Sequence, residues 1–456
     1  MVKGLIRIKD MPNLNIKLRL YLTKEQSNML DGHSRICNWL YNQLLEKANN
    51  LKEEYKEKIN NPSLKEETDK IAKTLYNKYG LRNLVPEMKK EHKFLNIVYS
   101  SCLKNTALRL TQVIKDYQSS KKGKRKGEIV GWPKFKKWSL KWFSLYYEEP
   151  FVGYKINNSI LNLSLGMGLD KKRKSLNLKI EKYNFKNRKV KTLRIMKQHN
   201  QYYAVFTIEK ELPKAKPVTR YLSLDPNHEN LSWGVDNLGN SIKIQYPKHL
   251  KTFDKKIDEV KSKRDKCVKK LHKRYTNEKK SYYLPSRRWQ KLDNTLKKMY
   301  TKRQEQTKYF LYTLANKLCS KYDYITIGNY TPKGGGINTG MRRSMNNQSL
   351  IGRFKKILSW VAYKSGKQYL EYDEYNTTKE CSYCNTLNEK SINPSIRKWQ
   401  CNSCNQELLR DENSAINGFK KSFHDIFMRC SRLFSNMKRC AWRVSHGLVF
   451  THPLTI

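Results

Sequence analysis

Alternating apolar and polar positions mark two separate blocks of strands in the first half of the chain. Residues 14–22 (LNIKLRLYL) alternate, and the alternation returns from about 140 to 210, for example in LNLKI at 176–180 and YYAVFTI at 202–208. A period of two residues predicts β-strands with one buried and one exposed face. The first half of the chain is therefore predicted to hold one strand-rich region that a different segment interrupts.

The interrupting segment has the spacing of helices. Thr23 is followed three residues later by Gln26, which has the form of a capping box at a helix start. Apolar residues then recur at roughly helical spacing, and the charged helical pattern continues to about Tyr117. The basic residues at 119–127 (SSKKGKRKG) have the composition of a flexible loop.

Past a linker marked by two prolines, the second half combines short buried strands with long helices. Apolar residues with a seven-residue rhythm predict an antiparallel helical hairpin that turns at Pro285. The succession of three strands, helix, strand, helix, strand is that of a ribonuclease-H-like sheet. The five predicted strands are 222–225, 231–235, 241–244, 324–327 and 367–375.

The charge of the chain indicates the class of partner. The 456 residues include 93 Lys and Arg against 40 Asp and Glu, a formal net charge of +53. Such an excess implies a polyanionic partner, and nucleic acid is a better candidate than a membrane surface. No run of about 18 apolar residues could span a bilayer, and the N-terminus lacks the apolar core of a secretory signal. The protein is therefore expected to be intracellular, not secreted, with no membrane partner.

One basic stretch leaves two interpretations open. Between Trp132 and Phe143 the sequence WPKFKKWSLKWF interleaves aromatic residues with lysines. This pattern suits base stacking beside neutralised phosphates, and it equally suits barrel strands that bury the aromatics and expose the lysines. The basic run at 121–126 is compatible with RNA contact or nuclear import, although a solvated loop is the commoner explanation.

Four of the ten cysteines have the spacing of a metal site. Two C-x2-C pairs are separated by sixteen residues, and together they can present four thiolates to one zinc ion in a tetrahedron. A site with all four positions filled has no room for a catalytic water, so the zinc is predicted to be structural. The four predicted ligands are Cys381, Cys384, Cys401 and Cys404.

Two aspartates stand at positions suited to a second metal site. Asp225 ends the apolar strand LSLD, where its carboxylate would lie at the carboxyl edge of the sheet. Asp411, in the sequence Arg410-Asp-Glu-Asn-Ser-Ala-Ile-Asn417, would lie in the first turn of a helix just after the cysteine motif. Taken singly, an ordinary turn at Asp225 and helix capping at Asp411 are the favoured explanations.

Taken together, these motifs resemble the RuvC nuclease domain of TnpB, the transposon-encoded RNA-guided nuclease related to type V CRISPR effectors. The resemblance rests on Asp225 at the end of the first strand, the inserted cysteine motif and the R-D-x-N-x-A-x-N pattern at 410–417. The T-K-E-Q helix start and the P-K-F-K stretch at 133–136 resemble the front half of TnpB. One position departs from the TnpB pattern, because Gly328 stands where that family has a Glu.

The missing carboxylate has a candidate replacement on the next strand. Strands 324–327 and 367–374 are expected to be parallel neighbours about 4.8 Å apart, so an acid at the end of the second could reach the site. The arrangement D-E-Y-x-T-T-K-x-C at 373–381 resembles Fanzor, the eukaryotic and giant-virus relative of TnpB, which carries a relocated Glu at this place. The first motif of Fanzors often reads Asp-Pro, as Asp225-Pro226 does here.

The resemblance assigns the relocated role to Glu374. Adjacent residues of a strand face opposite ways, so Asp373 is the alternative if the strand faces the other way. Glu371 shares the face of Asp373 and is a weaker candidate. A solvated acidic strand end would give the same sequence.

The resemblance implies an RNA-guided, Mg²⁺-dependent DNA endonuclease. Asp225 would bridge two Mg²⁺, and Glu374 and Asp411 would each complete one site. The implied partners are a long guide RNA, with one protein per RNA, and double-stranded target DNA with a short flanking motif. The implied location is the nucleus of a eukaryotic host, or the host cell if a virus encodes the protein. The alternative is a nuclease-dead, RNA-guided DNA-binding protein.

The predicted fold is a multidomain combination of α/β and α+β parts. A ribonuclease-H-like (RuvC) nuclease domain carries an inserted zinc ribbon, and a split β-barrel wedge domain carries a helical recognition insert. The predicted domains are wedge, first part (1–22); helical recognition (23–130); wedge β-barrel, second part (131–218); RuvC (219–378, with a helical hairpin at 249–319); zinc ribbon that binds target nucleic acid (379–408); and the C-terminal part of RuvC (409–456).

Overall fold

A computed structural model describes most of the chain as two compact units, Met1–Glu211 and Leu212–Ile456. The described residues are 13–124, 129–137, 142–168, 172–185, 188–198, 201–213, 217–228, 230–270, 273–277, 280–329, 350–388 and 396–423. Parts of the predicted terminal domains, at 1–12 and 424–456, lie outside these ranges, as do Arg125 and Lys126 of the basic run.

The first unit contains a seven-stranded antiparallel sheet in the order β2-β6-β7-β1-β5-β4-β3. Its strands are β1 (Asn13–Tyr21), β2 (Leu145–Tyr147), β3 (Tyr154–Asn157), β4 (Ile160–Met167), β5 (Arg173–Ile180), β6 (Val190–Gln198) and β7 (Gln201–Glu209). β1 is in the middle, where it pairs with β7 from Asn13 to Leu20 and with β5 at Leu20 and Tyr21. The predicted strand-rich region, split by an insert, is therefore present.

The insert is helical, as predicted. Its helices are α1 (Lys24–Lys58), α2 (Lys65–Tyr76), α3 (Gly80–Asn83), α4 (Val85–Glu91) and α5 (Ser100–Lys121). The capping box is present, because the backbone N–H of Gln26 donates to Thr23 Oγ1 at 3.2 Å and the Gln26 side chain accepts from the Thr23 N–H at 3.0 Å. The predicted loop at 119–127 begins too early, since residues 119–121 form the last turn of α5.

Helix and sheet of the first unit share one core. Leu18 and Leu20 of β1 point inward with exposures of 5% and 4%, and Leu40 of α1 and Leu103 of α5 are fully buried. Lys17 and Arg19, which alternate with these leucines on β1, stay exposed. The two-residue period of β1 therefore corresponds to a strand with one face on the core and one in solvent.

The second unit contains the predicted five-stranded sheet, in the order β10-β9-β8-β13-β14. The strands of this unit are β8 (Tyr221–Asp225), β9 (Ser232–Asp236), β10 (Ser241–Ile244), β11 (Lys273–Asn277), β12 (Lys280–Leu284), β13 (Tyr324–Gly328), β14 (Gln368–Tyr372), β15 (Lys398–Gln400) and β16 (Glu407–Leu409). β8, β9 and β10 form an antiparallel meander, and β13 is parallel to both β8 and β14. The carboxyl ends of β8, β13 and β14 therefore meet at one edge of the sheet.

Among the described residues, four helices accompany this sheet. They are α6 (Lys248–Lys270), α7 (Arg287–Lys321), α8 (Ile351–Lys364) and α9 (Arg410–Ser422). α6 and α7 form the predicted helical hairpin, with Ile257 and Leu296 of the seven-residue rhythm buried. The prediction of a simple turn at Pro285 is wrong, because the antiparallel pair β11–β12 connects the two helices.

Candidate active site and metal centre

Asp225 ends β8 and is the buried centre of the candidate active site. Its side chain is only 6% exposed, and Ser414 Oγ of α9 donates to its Oδ1 at 2.7 Å. Burial raises the pKa of Asp225 well above its usual value, and the negative charge of Glu374 raises it further, whereas the Ser414 hydroxyl lowers it. Because burial and the neighbouring negative charge disfavour the ionised form of Asp225, a positive charge close to this carboxylate would stabilise it.

Glu374 occupies the space beside Gly328, the position where the TnpB pattern predicted a Glu. An ideal Cβ built on Gly328 would lie 1.8 Å from Glu374 Oε1, far inside any allowed contact. The backbone N–H of Glu374 also faces Asn329 Oδ1 at 3.4 Å. The carboxylate from one chain segment thus fills the volume that a side chain at 328 would need.

The prediction that the last strand runs to residue 375 is wrong. β14 ends at Tyr372, so Asp373 and Glu374 lie in the turn that follows it. The argument from alternating strand faces does not apply to residues in a turn. The strand ends where the Tyr372 hydroxyl donates to the carbonyl of Leu224 at 3.0 Å, which fixes this end of β14 against β8.

The two other acidic candidates have structural partners away from Asp225. Asp373 is exposed, and its Oδ1 accepts the backbone N–H of Tyr375 at 3.2 Å, as a turn-forming Asp does. Glu371 is exposed and forms an ion pair with Lys355 Nζ at 2.6 Å. Of these two and Glu374, Glu374 is the residue whose charge acts on Asp225.

Asp411 lies in the first turn of α9 and forms an ion pair that sequence reasoning missed. Its Oδ1 accepts from Arg397 Nη1 at 3.0 Å, and its charge also raises the pKa of Asp225. Arg397 immediately precedes β15, and its backbone carbonyl accepts the N–H of Arg410 at 2.8 Å. The pairing of β15 with β16 brings the residue before β15 next to the start of α9. The contact between Arg397 and Asp411 could be predicted from the sequence only if the register of these two strands were known.

Two asparagines of the R-D-x-N-x-A-x-N motif hold the turn that carries Glu374. They are one helical turn apart on α9, and both side-chain amides donate to the carbonyls of Thr377 and Glu380. The shortest of these bonds are 2.7 Å from Asn417 and 2.8 Å from Asn413, both to Glu380. The Thr377 hydroxyl in turn donates to the carbonyl of Glu374 at 2.9 Å. These residues therefore position the turn without contacting Asp225.

The four predicted cysteines converge, as expected for a zinc site. Their sulfur atoms all lie within 4.8 Å of one another, and the Cys381–Cys404 and Cys384–Cys401 separations are 3.7 and 3.6 Å. A tetrahedron of Zn–S bonds of about 2.3 Å has S···S edges of roughly 3.8 Å, so the arrangement fits this ion. Among the described residues, no other group of His, Cys, Asp or Glu brings three ligand atoms this close together.

The individual cysteine environments differ. Burial raises the pKa of Cys381 to about 12, whereas hydrogen bonds from Thr386 lower that of Cys384 to about 6. A bound zinc ion would hold both as thiolates. The other described cysteines (Cys37, Cys102, Cys267 and Cys319) are buried, as their interpretation as small apolar groups predicts. Cys430 and Cys440 lie outside the described residues.

Comparisons with known proteins show what parts of this chain resemble. Residues 352–418 match a family described as "Cas12f1-like, TNB domain", and residues 11–59 match a family described as "Helix-turn-helix domain". The TnpB-like proteins L79 and L770 of Acanthamoeba polyphaga mimivirus are each 29% identical over 143 residues, which is 30% of this chain. That aligned segment spans only 27% of the length of each relative.

One solved structure has a similar fold over almost the whole chain. It is Cas12f1 in a cryo-EM complex with sgRNA and target DNA, with a TM-score of 0.54, 13% identity and coverage of 90% of this chain and 98% of that one. The fold and the cysteine site thus define a protein with the Cas12-like α/β architecture and a candidate zinc ribbon. In sequence the chain is thus similar to TnpB-like proteins over part of its length, and in fold it is similar to Cas12f1. In the described residues, no helix has the length and apolarity to cross a bilayer.

Proposed function

We propose that this protein is an RNA-guided DNA endonuclease of the Fanzor type, in which Glu374 replaces the glutamate missing at residue 328. The observation that carries the proposal is the position of the Glu374 carboxylate, which fills the space over Gly328 and raises the pKa of Asp225. On this view the ribonuclease-H-like sheet is the RuvC domain, and the seven-stranded sheet with its helical insert forms the wedge and recognition domains.

Asp225, Glu374 and Asp411 would hold the catalytic Mg²⁺. All three provide hard oxygen ligands, which Mg²⁺ prefers. The pKa of Asp225 is raised by burial first and then by the negative charge of its neighbours, which a divalent cation would balance. Bound Mg²⁺ supplies polarisation of the phosphate and activation of water. The chain itself orients the ligands: Ser414 holds Asp225, Asn413 and Asn417 hold the turn of Glu374, and Arg397 holds Asp411.

The partners follow from charge and from the relatives. A net charge of +53 suits a long guide RNA, one per protein, together with a DNA duplex that has a short flanking motif. The ribbon would carry a structural zinc and contribute to binding of target nucleic acid. The mimivirus relatives favour a virus-encoded protein that acts in its host cell, and the nucleus is the expected location if a eukaryotic genome encodes it.

Substitution of each acid in the RNA-bound protein tests the proposal. RNA that co-purifies with the chain is sequenced to define the guide, and cleavage of a matching duplex is measured with Mg²⁺. Asp225→Asn, Glu374→Gln and Asp411→Asn should each lower the cleavage rate by about 100-fold or more, because each removes a metal ligand. Binding of RNA and DNA should remain.

Asp373→Asn and Glu371→Gln are the matched controls, since they remove neighbouring acids of the same segment. Both should cleave at nearly the unsubstituted rate. Loss of cleavage in Asp373→Asn but not in Glu374→Gln would reassign the third ligand. If the unsubstituted complex binds matched DNA but never cuts it, the alternative of an RNA-guided DNA-binding protein replaces the nuclease.

A further inference from the structure

The segment Gly131–Lys137 has an irregular backbone that the helical insert holds in place. The side chain of Asn42 of α1 makes two hydrogen bonds with the backbone of Lys136. Its amide donates to the Lys136 carbonyl at 2.9 Å, and its Oδ1 accepts the Lys136 N–H at 2.8 Å. Trp132 Nε1 donates to Asn49 Oδ1 at 2.8 Å, and Pro133 is buried. The described part of this stretch is not a strand before β2, so the barrel-strand interpretation of residues 131–137 is wrong.

The side chains of this segment divide into an inward and an outward set. Trp132 packs inward, and Lys136 Nζ lies over the rings of Tyr41 and Phe143 at 3.8 and 4.0 Å from their centres. Lys134, Phe135 and Lys137 point to solvent, with Phe135 55% exposed. The inward contacts of Trp132 and Lys136 explain why these two residues alternate with exposed ones. They do not explain why the ring of Phe135 is exposed between Lys134 and Lys137.

A second exposed phenylalanine shows what is particular to Phe135. Phe151 is 80% exposed in the turn before β3, but the charged residues nearest to it in the sequence are acidic, Glu148 and Glu149. Single exposed apolar side chains are ordinary on protein surfaces. The combination at Phe135 is different, because a backbone that Asn42 holds by two hydrogen bonds presents a ring with a lysine on either side. A ring stacks on a base while lysines neutralise the adjoining phosphates, which is how aromatic and basic side chains bind unpaired nucleotides.

We propose that Phe135, with Lys134 and Lys137, is a stacking platform for an unpaired base of RNA. The inference rests on the proposed guide RNA and adds a contact residue for it. RNA is the occupant favoured here because a folded RNA offers unpaired bases in its loops and ends, whereas target DNA is double-stranded until it is opened. The preorganised segment needs no rearrangement to receive such a base.

Stacking is measured directly with a short unstructured RNA that contains one 2-aminopurine. The full chain, freed of bound nucleic acid, is titrated in the presence of excess duplex DNA, which occupies the general basic surface. Phe135→Ala should weaken RNA binding about tenfold and reduce quenching of 2-aminopurine, because one stacked base is lost. Phe135→Tyr keeps a ring and should bind within about twofold of the unsubstituted protein.

Phe151→Ala is the matched control and should bind normally. Lys134→Gln and Lys137→Gln should each reduce the slope of log K against log salt concentration by about 0.7, while Phe135→Ala leaves the slope unchanged. The inference is overturned if Phe135→Ala binds RNA normally, if Phe151→Ala loses as much affinity, or if only single-stranded DNA responds to Phe135→Ala. Catalysis is not measured here, so failure of the proposed nuclease activity, tested with Asp225→Asn, is a separate result.

Discussion

Gly328 and Glu374 form a complementary pair at the centre of the candidate site. Glycine is required at 328 for space and not for backbone freedom, since a Cβ there would lie 1.8 Å from Glu374 Oε1 and 2.5 Å from its Cδ. The three atoms nearest to that Cβ all belong to one glutamate side chain, which is flexible enough to be displaced. A substitution at 328 should therefore act on catalysis more than on folding.

Gly328→Ala is predicted to move the Glu374 carboxylate away from Asp225. Under the proposed function, Mg²⁺-dependent cleavage should fall by about 100-fold, while the melting temperature changes by only a few degrees. Gly352→Ala is the control, because a Cβ at Gly352 on α8 meets nothing within 4 Å. That variant should cleave normally and be slightly more stable, since alanine favours a helix over glycine. Normal cleavage by Gly328→Ala would count against Glu374 as a ligand.

The sequence singled out Glu374 by a strand argument that does not hold in the structure. The expectation relied on a strand through residue 374, whereas the chain leaves the sheet after Tyr372 and a turn presents Glu374. Strand ends depend on contacts such as the hydroxyl of Tyr372 with Leu224, which local sequence does not encode. Arg397 was missed for the same kind of reason, because its contact with Asp411 depends on ribbon register.

At the scale of elements, the candidate zinc ribbon and α9 are joined by hydrogen bonds. Asn413 Oδ1 accepts the backbone N–H of Ser382 at 2.8 Å, and Lys420 Nζ donates to the carbonyl of Ser382 at 2.6 Å. Ser382 lies within the first C-x2-C pair, so the conformation of the cysteine loop is coupled to the helix that carries Asp411. Loss of the metal should therefore also change the position of α9 and of Asp411 in the candidate active site.

Zinc removal is predicted to disorder the ribbon and weaken the ion pair of Arg397 with Asp411. Elemental analysis should give one zinc per chain, and Cys401→Ser should lower that content and increase amide hydrogen exchange in residues 377–388 and 396–409. Cys267→Ala changes a buried cysteine outside the motif and should retain the full zinc content. Equal zinc content in Cys401→Ser and the unsubstituted protein would contradict the assignment.

Most elements could be predicted from periodicity, and the exceptions have a physical cause. Strands β1, β7, β8 and β13 have strong two-residue or fully apolar patterns, so their positions were predicted to within about two residues. The pair β11–β12 was missed because its short, lysine-rich strands lie between two long helices, where the helical rhythm was extended through Leu271. Short polar hairpins carry too few apolar positions to show their period.

At the scale of the whole molecule, each unit has a hydrophobic core of its own. The first core joins β1 and the other strands of its sheet to α1 and α5, and the second joins β8, β13, α7 and α8. Each unit exceeds 200 residues, which is enough to bury a stable core. Independent cores predict independent folding.

Separate expression of residues 1–211 and 212–456 should therefore give two folded proteins. Each fragment should show a cooperative thermal transition and protected backbone amides, and only the second should contain zinc. A point variant within one core, Leu103→Ala, should lower the melting temperature of the first fragment and leave that of the second unchanged. A first fragment without cooperative unfolding would show that its core is incomplete.

The central position of β1 has a consequence for synthesis on the ribosome. β1 is translated first, but its partner β7 ends at Glu209, so at 5–20 residues per second the strand waits roughly 10 to 40 seconds for its neighbour. Until β5 is made, both edges of β1 lack partners, and a nascent chain with open edges is prone to aggregation. Lys17 and Arg19 on its outer face provide charge that discourages mispairing until translation delivers the rest of the sheet.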